Sequence, residues 1–132
     1  HAFAVSYVPI GQDATVQWGY LDYRFVNNTE MPIRIYAVLE GDTLTVRFNG
    51  TKENPDKRVV LESSIIDTFP FETQRVENPA LPSGTTREVQ RGNLGYRSET
   101  YQSIYQGDTL IEKRLANKSY YSSQTQIIEY GP

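Results

Sequence analysis

The chain carries one histidine, and it is the first residue, His1. An imidazole beside a carboxylate is the base-and-orienter part of a nucleophilic triad, and Asp13 or Asp22 has the right chemistry for the carboxylate. The nucleophile is missing: the chain has no cysteine, and no serine sits in a Gly-x-Ser-x-Gly elbow. As a terminal residue, His1 is read first as a chain end. Paired carboxylates, Asp13 with Asp22 or Glu62 with Asp67, carry the groups that flank a glycosidic bond in hydrolases. Sixteen acidic residues against thirteen basic ones point instead to a solvated surface. The sequence has no calcium loop, phosphate-cradling loop or dinucleotide fingerprint, so neither a metal nor a cofactor is expected. Gly92-Asn93-Leu94-Gly95 lacks the further residues that either nucleotide pattern needs.

The other residues with binding chemistry are aromatic. Ten tyrosines stand against five phenylalanines and one tryptophan. A tyrosine ring can stack on the C–H face of a sugar while neighbouring Gln and Arg bond its hydroxyls, and Tyr96, Tyr101, Tyr105, Tyr120 and Tyr121 are the candidates for a glycan site. The competing role is structural, as cross-strand partners in a sheet with little other core, and it is the stronger expectation for any single tyrosine.

These side chains must sit on strands. No stretch of a dozen residues keeps apolar residues at helical spacing, whereas strand-like alternation recurs, so the chain is expected to be all-β. Ala14–Trp18 alternates, as does Thr43–Phe48, and Ile33–Leu39 alternates before becoming continuously apolar. Glu40-Gly41-Asp42 suits a tight hairpin between the last two runs. Gln106-Gly107-Asp108 repeats that chemistry ahead of Leu110–Leu115, which Ala116-Asn117-Lys118 should separate from Tyr120-Tyr121. Tyr101 and Tyr105 should share one strand face, with Ile104 on the other. Asn-x-Ser/Thr triplets at Asn27, Asn49 and Asn117 serve as further loop markers.

Thr51–Asp56 has no apolar residue and several turn formers, which places a module boundary there and gives modules 1–56 and 57–132. Residues 1–56 hold four basic and seven acidic residues, net -3, and residues 57–132 hold nine of each, net zero, so the chain's whole -3 belongs to the first module. That balance, with no basic stripe, argues against nucleic-acid binding. No apolar run is long enough to span a bilayer, so no direct membrane insertion is expected.

His1-Ala-Phe-Ala-Val-Ser-Tyr-Val-Pro-Ile-Gly-Gln-Asp-Ala-Thr-Val, followed by Leu21-Asp22-Tyr23-Arg24-Phe25-Val26-Asn27-Asn28 and Pro32-Ile33, resembles the C-terminal part of a VanW-family domain, over residues 1–50. Residues 57–132 resemble a G-five domain, a small β module named for five glycines. Gly84, Gly92, Gly95, Gly107 and Gly131 stand in register with its strand pattern. The first resemblance implies a longer parent domain with an upstream Gly-Gly-Gly-x-Cys-Gln motif, and hence a truncated β module here. In such a parent, the absent Cys with His1 and Asp13 or Asp22 would form the catalytic site. The second resemblance implies an elongated, largely single-layer antiparallel β module of secreted Gram-positive proteins, proposed to bind amino sugars or to act as a spacer. The expectation is therefore a non-catalytic cell-envelope fragment, extracellular, with a cell-wall glycan such as peptidoglycan as partner. The alternatives are the C-terminal part of a wall-modifying enzyme and an adhesion spacer that binds no glycan.

Overall fold

The computed structural model describes residues 2–132, so His1 lies outside the described residues. Among the described residues there is no helix. Eight strands form three separate sheets.

The first sheet is the hairpin of β1 (Arg34–Glu40) and β2 (Thr43–Asn49), closed by a turn in which Gly41 takes a φ of 59°. Its register pairs Ile35 with Phe48, Ala37 with Val46 and Leu39 with Leu44, so one face is wholly apolar. Phe25 packs edge-on against Phe48 with ring centroids 5.6 Å apart. The hairpin touches no other strand.

The second sheet has the order β3 (Lys57–Phe69), β6 (Gly95–Gln106), β7 (Thr109–Tyr121), all antiparallel. Gly107, with φ 57°, turns β6 into β7 as its hairpin chemistry requires. β7 does not stop at Ala116-Asn117-Lys118. The ladder skips Ala116 as a bulge and resumes with Asn117 opposite Thr100, so the Asn117 triplet lies inside a strand and not in a loop. Both faces of this sheet meet water over much of its length, so polar residues mid-strand cost little and do not end it.

The third sheet, β4 (Thr73–Glu77), β8 (Gln126–Tyr130), β5 (Thr86–Gln90), departs from the antiparallel rule: β4 and β8 run parallel. Glu129 in its central strand gathers Asn78 Nδ2 at 2.7 Å and Arg87 Nη2 at 2.6 Å. These two donors, Asn78 foremost, hold its carboxyl below the usual range.

Ala14–Trp18 is not a strand. Gln17 bridges only Leu21 across a tight turn, and Trp18 is 98% exposed. Alternation there has no partner strand to pair with.

The core is correspondingly thin. Tyr121 is the one buried large side chain among the described residues, accompanied by the buried hydroxyl residues Ser98, Thr100 and Ser103. Backbone ladders and cross-strand pairs, not a packed apolar interior, therefore carry the second and third sheets.

Candidate functional site

The β3-β6-β7 sheet presents two faces of different character. Strand alternation and register put Arg97, Glu99, Tyr101, Ser103 and Tyr105 of β6 on one face, beside Arg58, Glu62 and Asp67 of β3 and Lys113, Lys118 and Tyr120 of β7. The opposite face carries Tyr96, Ser98, Thr100 and Ile104 of β6, with Ser63 of β3 and Tyr121 of β7. Tyr101 and Tyr105 thus share a face and Ile104 takes the other. The five tyrosines proposed as glycan platforms divide between the two, three on the first face and Tyr96 and Tyr121 on the second.

On the first face every aromatic ring has a polar neighbour. Phe69 and Tyr120 meet with ring centroids 5.7 Å apart, and the Arg97 guanidinium lies 5.4 Å from the Phe69 centroid. Arg58 sits 4.3 Å over Tyr105, and Lys113 Nζ lies 5.5 Å from the Tyr101 ring. The Tyr101 hydroxyl donates to Glu99 Oε2 at 3.1 Å, and Lys118 Nζ holds the other Glu99 oxygen at 2.9 Å. Further pairs join Arg97 to Asp67 at 3.6 Å and Lys113 to Glu62 at 3.8 Å. Tyr120 is 61% exposed. The face is therefore a strip of rings flanked by cations and by hydrogen-bonding carboxylates, open to solvent and with no walls.

The electrostatics of the strip are coupled. Lys118 first and the Tyr101 hydroxyl second keep the Glu99 carboxyl below its ordinary value, and the same Glu99 raises both the Tyr101 phenol and the Lys118 ammonium. Glu99→Gln removes the acceptor charge that disfavours phenolate. The Tyr101 titration should then fall toward the ordinary value of 10.0, which NMR of the ring carbons in a pH series will read.

The second face is built differently. Tyr121 is 2% exposed, which leaves no ring surface for a sugar. Its hydroxyl accepts from the backbone N–H of Gly11 at 2.7 Å and donates to the Asp13 carboxylate. Thr100 Oγ1 donates to the Gly11 carbonyl at 3.1 Å. Having spent its one proton there, Thr100 must accept from Ser63, 2.9 Å away, and Ser63 in turn accepts from Gln12 Nε2 at 3.0 Å. Gly11 has φ 78°, and a Cβ on it would come within 2.6 Å of Thr100 Oγ1 and 2.9 Å of Ser98 Oγ. No sequence signal pointed to this cluster, because its partners lie up to 110 residues apart.

Asp13 and Asp22 have different side-chain partners. Asp13 is engaged by Tyr121, while Asp22 lies exposed beside Arg24 at 3.2 Å. Among the described residues no three His, Cys, Asp or Glu side chains gather as metal ligands. An open depression of about 410 Å³ lies between the loop at Thr29 and the start of β3 at Lys57. There Glu53 accepts from the backbone of Glu30 at 2.7 Å, which ties two loops together.

The glycines of the second half fall into two kinds. A Cβ on Gly92, Gly95 or Gly131 would lie within 3 Å of neighbouring atoms, whereas Gly84 and Gly107 have open space and sit in turns.

A family model described as "G5 domain" matches residues 60–132, more than half of the chain. The chain belongs to the G5 domain family. Ahead of its G5 segment, residues 1–49 match the model described as "VanW like protein". The uncharacterized protein YoaR of Bacillus subtilis (strain 168) is 46% identical over 46 residues, which are 35% of this chain and 15% of that protein. The chain thus spans a small part of that relative's length. Two solved structures are similar to the G5 chain. The IgA1 protease G5 domain is 22% identical, with 61% of this chain and 98% of that one covered and a TM-score of 0.38. HP0197-G5 is 17% identical, with 57% and 97% covered and a TM-score of 0.32.

Proposed function

We propose that this chain binds a cell-envelope glycan of the amino-sugar type, with peptidoglycan as the ligand class, outside the cell, through the ring-and-cation face of the β3-β6-β7 sheet. The observation that carries the reading is that Tyr101, Tyr105 and Tyr120 share this one open face, Tyr101 and Tyr105 each with a cation at the ring and Tyr120 packed on Phe69 with Arg97 as its cross-strand partner. A sugar presents an apolar C–H face and a rim of hydroxyls, and such a strip matches both. Arg58 and Lys113 hold the ring faces in the free protein, so binding must move them to the sugar's rim. That exchange, together with the lack of walls, favours a weak site that gains strength from repeated sugar units. In this reading the chain binds the glycan without cleaving it, with Asp13 bonded to Tyr121 and Asp22 beside Arg24.

Retention on purified peptidoglycan tests the reading. The wild-type chain should be retained above a control protein, and Tyr101→Ala or Tyr105→Ala should each lower retention severalfold. Retention at the control level removes the glycan claim. Undiminished retention of both variants removes this face as its site.

A further inference from the structure

The β3-β6-β7 sheet has a second interaction surface, whose occupant comes from the chain's own VanW-like segment. From Gly11 to Asp13 three successive residues each bond the G5 sheet, through four hydrogen bonds to Tyr121, Thr100 and Ser63. Nearby, the Ser122 N–H donates to the Ala2 carbonyl at 2.9 Å, so the segment's start is held as well. The fit is specific in two ways. Gly11 adopts a left-handed φ that disfavours any side chain, and the space a Cβ would need is filled by Thr100 and Ser98. Among the described residues the buried Ser98 hydroxyl has no hydrogen-bond partner. A buried hydroxyl left unpaired is a cost, and it is accepted here where Gly11 closes over it.

We infer that the Pro9–Asp13 turn is a docking element, and that Ser63, Ser98, Thr100 and Tyr121 are its receptor, so that the VanW-like segment is fastened to the G5 module by contact as well as by the connection at residues 51–56. The turn takes the face opposite the ring-and-cation strip. A ligand on the strip and the docked segment therefore occupy the two sides of one sheet without competing. Tyr121 is a positioning residue in this arrangement: its hydroxyl holds both the Gly11 N–H and the Asp13 carboxylate.

Amide hydrogen exchange on the whole chain tests the inference. In the wild type the Gly11 amide should be protected. Tyr121→Phe and Gly11→Ala should each speed exchange across residues 3–13 by at least tenfold, while the β6 and β7 amides around Ser103 and Lys113 keep their wild-type rates. Asp13→Asn keeps an acceptor for the phenol and should have a smaller effect than Asp13→Ala. A second readout covers the case in which Gly11→Ala does not fold. The chain has no cysteine, so spin labels on Ser6→Cys and Asp108→Cys attach only there, and their distance distribution should be narrow in the wild type and broad with Tyr121→Phe. Wild-type exchange at unprotected rates across residues 3–13, or rates and distances unchanged by Tyr121→Phe, overturns the inference.

Discussion

Gly95→Ala should destabilise the protein by about 3 kcal/mol. Gly95 opens the central strand β6, and a Cβ there would lie 2.7 Å from the Ser123 nitrogen and 2.8 Å from the Tyr121 carbonyl oxygen. Both are backbone atoms, so no rotamer change makes room. Relief requires β6 and the end of β7 to part, and that parting would break the ladder beside Tyr121, the one large side chain in the core among the described residues. Gly84→Ala provides the contrast. Its position has φ 77° and open space around it, so the cost there is conformational only, about 1 kcal/mol. Thermal unfolding should separate them by roughly 10 °C. Equal melting temperatures for the two variants would contradict the close approach at Gly95.

The second large effect belongs to Tyr121→Phe, with an expected loss of about 2–3 kcal/mol, because a hydrogen bond to a carboxylate disappears and the Gly11 N–H loses its acceptor. The loss is bounded by what the docked turn contributes, since the turn can open without unfolding the sheet. It carries a pH signature. Burial resists ionisation of Asp13, yet the hydrogen bonds it accepts, that of Tyr121 foremost, together with nearby positive charge outweigh it and set the carboxyl below 3.8. A carboxylate lowered in the folded state stabilises above its unfolded value, and that contribution is lost as pH falls through the folded one. Burial first and Asp13 second raise the Tyr121 phenol above 10.0, so its contribution is complete below 10.0 and is lost as pH rises through the folded value. Wild-type stability should therefore drop at both extremes. Tyr121→Phe should flatten the alkaline drop and weaken the acid one, as followed by urea unfolding in a pH series.

The parts of this fold that were legible in the sequence are those specified locally. The two Gly-Asp turns are flanked by alternating runs, and both became hairpins at Gly41 and Gly107. The same local rule overreached at Ala14–Trp18, where alternation met no second strand. It also fell short at Ala116-Asn117-Lys118, where a bulge carried β7 onward through polar residues. The parallel pairing of β4 with β8 joins segments about fifty residues apart, and no turn signal encodes it. For the candidate site, the shared face of Tyr101 and Tyr105 follows from their spacing of four within a strand. Tyr121 looks, from its neighbours in the sequence, like one more platform. Its burial and its hold on Gly11 and Asp13 are tertiary facts between the two ends of the chain, and neighbouring residues say nothing of them.

Backbone chemical-shift mapping during titration with a soluble amino-sugar oligomer from peptidoglycan tests whether the ring-and-cation face binds a glycan. Saturable shifts are expected at Arg58, Arg97, Tyr101, Tyr105 and Tyr120, with Gly11, Ser98 and Thr100 on the docked face unaffected. Shifts centred on Gly11 and Thr100, or no saturable shift anywhere on the sheet, would contradict it.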